Sequence, residues 1–190
     1  MTIKKTVVAA LVCGSVAFVS FACSNHEDAK ESAETMNNEK FDNTDEKEAD
    51  KLVNAYSANL YEIKASEYAA MNATNMKVKS LGAMMVEAHT KMNEEVKKLA
   101  VGKDVTLPTG LSDEQQKDLQ KLSEKSATDY NKAYVEQMKE KHEKALDFYQ
   151  KIADKCDDAS MKSWAAKTVT EVRSHMDMVL TTYNEVKDTK

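Results

Sequence analysis

Residues 76–100 read MKVKSLGAMMVEAHTKMNEEVKKLA. Within them Val78, Leu81, Met85, Ala88, Met92, Val96 and Leu99 recur at steps of three and four. A helix turns by about 100° per residue, so that spacing lines all seven along one face. Asn75, just before the stretch, suits an N-cap, and Gly102, just after it, suits a C-terminal stop. A helix with one apolar stripe is stable only when the stripe is covered, which calls for partners of similar length.

The chain supplies three. Upstream, Ala49, Leu52, Val53, Tyr56, Leu60, Ile63, Ala70 and Met71 mark a first helix over about residues 46–73. Asn72 to Asn75 then form a turn. Downstream, Leu107-Pro108-Thr109-Gly110 is a loop, and Ser112 with Gln115 forms a capping box that opens a short helix anchored by Leu119 and Leu122. A third long helix follows Ser126 and runs to about Lys155, with Tyr130, Tyr134, Met138, Phe148, Tyr149 and Ile152 on its apolar side. Asp157-Asp158 opens a fourth, with Met161, Trp164, Thr168, Val172, Met176, Val179 and Val186. Four Gly and one Pro in 190 residues fit helix nearly throughout. The expected fold is all-α: an antiparallel four-helix bundle with a short extra helix in the connection between the second and third long helices.

The N-terminus reads differently. Lys4 and Lys5 precede 17 uncharged residues, Thr6 to Ala22, and Cys23 follows directly. A charged start, a short apolar run and a small residue before the cut describe an export signal over residues 1–22. The Cys after it resembles the lipidation site of bacterial lipoproteins, with Ser20 where Leu is usual. By that resemblance Cys23 carries lipid, and the protein hangs from a membrane in the cell envelope. Glu27-Asp28 behind it resembles an acidic signal for the outer membrane, facing the periplasm or the cell surface. An ordinary signal peptide cut nearby is the alternative. Residues 23–47 are polar and acidic, which reads as a flexible, lipid-anchored tether ahead of a domain over 48–190.

Composition narrows the partners. Without Lys4 and Lys5, 25 Lys and Arg face 32 Asp and Glu, a net charge of −7. No basic stretch stands out to neutralise phosphates, which argues against nucleic acid. Cys13 leaves with the signal and Cys23 bears lipid, so Cys156 has no disulfide partner within the chain.

Several fragments, in order, carry a family resemblance: Leu60-Tyr61-Glu62-Ile63, Met84 to His89, Leu107-Pro108, Asp129 to Tyr134, Met138 to Leu146, and His175. Together they resemble the domain of unknown function family 4142, over about residues 48–190. The resemblance implies a ferritin-like four-helix bundle in an exported protein, and no settled activity. Thr128 stands where members commonly have Phe, and Ser66 where they commonly have Gly. Both departures bear on local packing.

Chemistry concentrates in the histidines. His26 lies in the tether, and His89, His142 and His175 fall one per long helix. His89 lies about 40° from Met85, while His142 and His175 lie about 60° from Ala145 and Val172. Their heights agree as well. His89 is 15 residues and Glu62 12 residues from the turn at Thr74; His142 is 15 and His175 18 from the turn at Asp157. With both turns at one end they share a level within roughly 9 Å; with a crossover they still meet near mid-bundle. One candidate ligand per helix at one depth is how bundle metal sites are built. Helix one offers Glu62, which faces the small residues Ala55, Asn59, Ser66 and Ala69, and Glu67, nearer the apolar stripe.

Other chemistries fit less well. A di-iron site needs Glu-x-x-His on two helices, and the residues three before the histidines are Val86, Lys139 and Val172. Met84, Met85, Met92, Met138, Met176 and Met178 lie near the histidines in sequence, a mixture that suits copper, although methionines also fill gaps in cores. A lone histidine on a helix stripe is ordinarily a packed residue bonded to a neighbour. No nucleophile elbow, phosphate loop or CxxC is present, and Cys156 and His142 stand about 21 Å apart on one helix. The first reading is therefore a non-catalytic envelope lipoprotein whose bundle serves binding or stress protection. The alternative is a bundle that stores or buffers a transition metal (copper, zinc or iron) on His89, His142 and His175 with Glu62 or Glu67.

Overall fold

The computed structural model describes residues 28–188, so the export signal, Cys23 and His26 lie outside the described residues. Six helices account for most of that span: α1 Ala29–Lys40, α2 Asn43–Asn72, α3 Met76–Gly102, α4 Asp113–Ser123, α5 Ala127–Lys155 and α6 Ala159–Val186. No strand occurs among the described residues.

Local chemistry sets the helix ends. Asn75 Oδ1 accepts from the Lys77 and Val78 amides, capping α3. Ser112 and Gln115 make the expected capping box at α4, and Asp158 caps α6 by accepting from the Met161 amide. At α5 the N-cap residue Ser126 makes no side-chain cap bond, because its hydroxyl donates to Asp129 Oδ2 instead. The expected glycine stop after α3 also differs. Gly102 stays helical, and the left-handed residue is Asp104, at φ 54°.

Two hairpins form the body, α2 with α3 and α5 with α6, each closed by three residues. Their turns lie at opposite ends. The α2–α3 turn meets the start of α5, where Asn131 Nδ2 donates to Thr74 Oγ1 at 2.8 Å. The α5–α6 turn meets the far end of α2 and α3, where Lys103 bridges Glu48 at 3.1 Å and Asp158 at 2.6 Å. The connection 103–126, carrying α4, must therefore travel the length of the body. Helices α2 and α6 run one way, and α3 and α5 run the other.

The buried face of α2 is not the expected stripe in its second half. Met71 is 68 % exposed, and Leu60 and Ile63 are only half-buried. Ala55, Asn59, Glu62, Ser66 and Ala69 face inward in their place. The reason is close approach. A Cβ built on Gly82 of α3 would stand 2.8 Å from Ala70 N and Ser66 O, so backbone meets backbone there and only small residues fit.

The segment expected as a flexible tether is corrected from Asp28 onward. Helix α1 docks on the body through polar bonds. Fully buried Asn37 pairs its side-chain amide with the Thr106 backbone, Nδ2 donating to O at 2.9 Å and Oδ1 accepting from N at 2.8 Å. Asp28 caps α1, and its other oxygen accepts from the Asp113 amide at 2.6 Å. Part-buried bonds of this kind, with Ala33 as the only buried apolar residue of α1, hold a helix that lacks an apolar stripe.

Candidate metal centre

The apolar core comes in two parts. One holds Tyr61, Leu81, Met85, Tyr134, Met138 and Val179, near the α2–α3 turn. The other holds Leu52, Met92, Val96, Tyr149, Trp164 and Val172, toward the opposite end. Between them lies a polar layer. On α3, His89 falls between Met85 and Met92; on α6, His175 falls between Val172 and Val179; on α5, His142 falls between Met138 and Tyr149. Glu62 of α2 completes the layer. Helical periodicity aims each inward, and exposure falls to 3 % for Glu62, 2 % for His89, 1 % for His142 and 8 % for His175.

The three imidazoles meet. Each offers a ligand atom, and these atoms lie within 4.8 Å of one another. Ring centroids stand 5.4 Å apart for His89 with His142, 5.4 Å for His89 with His175, and 5.9 Å for His142 with His175. Glu62 Oε2 lies 3.3 Å from His89 Nε2 and 3.4 Å from His142 Nδ1. Two ligands held at 2.0–2.1 Å by one tetrahedral zinc stand about 3.3 Å apart, so Glu62 and His89 already have that spacing. The widest pair of imidazoles would draw in by about 1.5 Å to reach it.

Neighbouring acceptors fix which nitrogens are free. His142 Nδ1 donates to the Met138 carbonyl at 2.9 Å, and His89 Nδ1 faces Asn59 Oδ1 at 2.9 Å. A carbonyl oxygen only accepts, so Nδ1 carries the proton in each ring and Nε2 is left with a lone pair. His89 Nε2, His142 Nε2, His175 Nδ1 and Glu62 Oε2 are all buried, and none makes a hydrogen bond. Orientation of a ligating imidazole by an acceptor on its other nitrogen is the usual support for a metal site.

Burial sets the charge. Desolvation pulls His89, His142 and His175 down to about 4. For His89 the Glu62 carboxylate opposes this, and for His142 the bond to Met138 does. Glu62 is pushed up, by burial first, against the pull of His89 and Lys141. At neutral pH all three rings are uncharged, the form that coordinates.

A cavity of about 370 Å³ opens beside the layer at the seam between α2 and α5. Glu62, His89 and His142 line it, with Met92, Phe148 and Tyr149 among the walls and Lys141 and Lys144 on the α5 side.

Three of the five candidate ligands, His89, His142 and His175, therefore converge, and a fourth, Glu62, lies against His89 and His142. The fifth, Glu67, does not: it is at the surface, 40 % exposed, 2.9 Å from Lys64. Among the methionines near the histidines in sequence, Met85 and Met138 pack in one apolar cluster, Met92 packs in the other, and Met178 is exposed. Cys156 is free and buried, with Sγ 3.8 Å from Glu48 Oε1. Two supports are not evident as such from the sequence. Asn59 sits three residues before Glu62 on the same face, a signal that helical spacing carries. Lys141 and the cavity depend on how α2 and α5 meet, which spacing along one helix does not encode.

No helix among the described residues is long and apolar enough to cross a membrane. No curated protein and no solved structure matches the chain. One family model matches residues 24–181, most of the chain, and its description is Domain of unknown function (DUF4142). The chain belongs to that family.

Proposed function

We propose that the protein binds one transition-metal ion per chain at His89, His142, His175 and Glu62, and serves as a metal-binding or buffering module in the cell envelope. One observation carries this reading: three buried imidazoles from three helices bring ligand atoms within 4.8 Å, and their inward nitrogens have no protein partner. Burying so many unsatisfied polar atoms is costly, and a cation that takes their lone pairs removes the cost. Three nitrogens and a carboxylate oxygen suit zinc, iron(II) or copper(II). Without Glu-x-x-His pairs, the set fits a mononuclear centre better than a di-iron one. The fold reading is ferritin-like, supported by two antiparallel hairpins joined through one long crossover. The export signal, lipidation at Cys23 and attachment to the outer membrane remain part of the proposal and rest on Lys4-Lys5, the uncharged run 6–22 and Cys23 itself.

Metal analysis of protein purified without a histidine tag tests the reading. About one equivalent of a first-row metal is expected, against background for a chain with all three histidines replaced. Background metal in both, with no uptake from added zinc, iron(II) or copper(II), would remove it.

A further inference from the structure

The cavity at the α2–α5 seam has a composition beyond what holding a metal requires. Its room comes from small residues: Ala55 and Ala58 on α2 face Ala145 on α5. Exposed Ala58 and Lys144 place the mouth at the surface, while Glu62, His89 and His142 form the floor. Phe148 and Met92 give apolar walls. The half-buried Lys141 holds its ammonium 4.0 Å from the centre of the Tyr61 ring. On the floor the buried Asn59 amide lies beside the Tyr149 hydroxyl, and its nitrogen can donate to an acceptor that enters. A volume of about 370 Å³ lies within the usual range for small-molecule sites. Lys141 and Lys144 in its lining offer positive charge to an anion.

We infer that this cavity binds a small aromatic carboxylate, its ring between Phe148 and Met92 and its carboxylate facing Asn59 and the histidine floor. With an ion on the histidines, the carboxylate completes its coordination. The inference rests on the metal reading for that last interaction, and the cavity itself does not depend on it.

Cobalt(II) as the metal and benzoate as the anion test this on the whole chain. Benzoate is expected to change the visible absorption of bound cobalt(II) saturably, with acetate and the neutral benzamide at least tenfold weaker. Ala58→Trp, at the exposed mouth, should weaken benzoate at least tenfold and leave cobalt(II) affinity within threefold. Lys141→Gln should weaken benzoate severalfold. Cobalt(II) binding with no benzoate response overturns the inference and spares the metal reading. So does a response that acetate reproduces equally, or one that Ala58→Trp leaves intact. If cobalt(II) does not bind, the metal reading is left to the zinc titration, and saturation-transfer NMR on the metal-free chain decides the cavity. A benzoate signal that is present in the parent chain and vanishes in Ala58→Trp upholds the cavity site. No benzoate signal in the parent chain, or one that Ala58→Trp leaves unchanged, overturns it.

Discussion

Glu62 Oε2 and His89 Nε2 face each other at 3.3 Å, both buried, and no hydrogen bond joins them. The His89 proton sits on Nδ1, against Asn59, so a lone pair confronts a carboxylate oxygen. Such a pair repels unless a proton or a cation lies between. Replacing Glu62 with Gln removes the buried carboxylate and keeps its shape. In the metal-free protein, Glu62→Gln is expected to leave the melting temperature unchanged or raise it, because burial of the charge no longer opposes folding. Zinc affinity should fall by about 10–100-fold. Thermal denaturation with and without zinc reads both, and a large loss of metal-free stability would mean the carboxylate is a structural partner instead.

The metal-free protein should lose stability as pH falls from about 6.5 toward 4. Each histidine is neutral in the folded state down to about 4, whereas the unfolded chain takes up its proton near 6.5. Across that window the unfolded state holds more protons, so acid favours it, by about 1.4 kcal/mol per histidine for each pH unit fully crossed. Glu62, pushed up by burial, offsets part of the loss as it protonates. Urea midpoints at pH 7.5, 6.5, 5.5 and 4.5 measure the slope. A midpoint flat over that range would mean that the rings are not buried neutral.

The long helices, the Asn75 cap and the Ser112 capping box are legible in the residues, because they follow from spacing and local hydrogen bonding. The convergence of His89, His142, His175 and Glu62 also follows, because phase and depth along a helix are countable. Glu67 is misplaced by the same counting, because the apolar positions of α2 suggest the wrong face. There Ser66, Ala69 and Gly82 bring two backbones together, and close approach favours small residues over large ones. Helix α1 reads as a tether because it offers little apolar area, and Asn37 docks it by hydrogen bonds to a loop 69 residues away.

That docking is testable. Asn37→Ala leaves the Thr106 amide and carbonyl without their partner and should cost about 1–3 kcal/mol locally. Limited proteolysis should then cut within residues 29–42 of the variant at least tenfold faster than in the parent protein, with 43–188 surviving in both. Equal rates would show that α1 is held by other interactions.

Anchoring depends on a different residue. Cys23→Ala should move the protein from the membrane fraction to the soluble fraction, because one lipid-bearing residue carries the attachment in this reading. Unchanged membrane association, or a mature N-terminus elsewhere, would defeat it.

The centre itself is decided by calorimetric titration of zinc(II) into metal-free, untagged protein at pH 7.5. One ion per chain is expected, with a Kd tighter than about 10 µM, and binding should disappear when His89, His142 and His175 are all changed to Gln. The melting temperature should rise with zinc in the parent protein and not in the triple variant, since an ion bound only to the folded state stabilises it. No binding tighter than about 10 µM in the parent protein, or equal binding in the triple variant, would show that the three histidines are packed core residues and not a metal site.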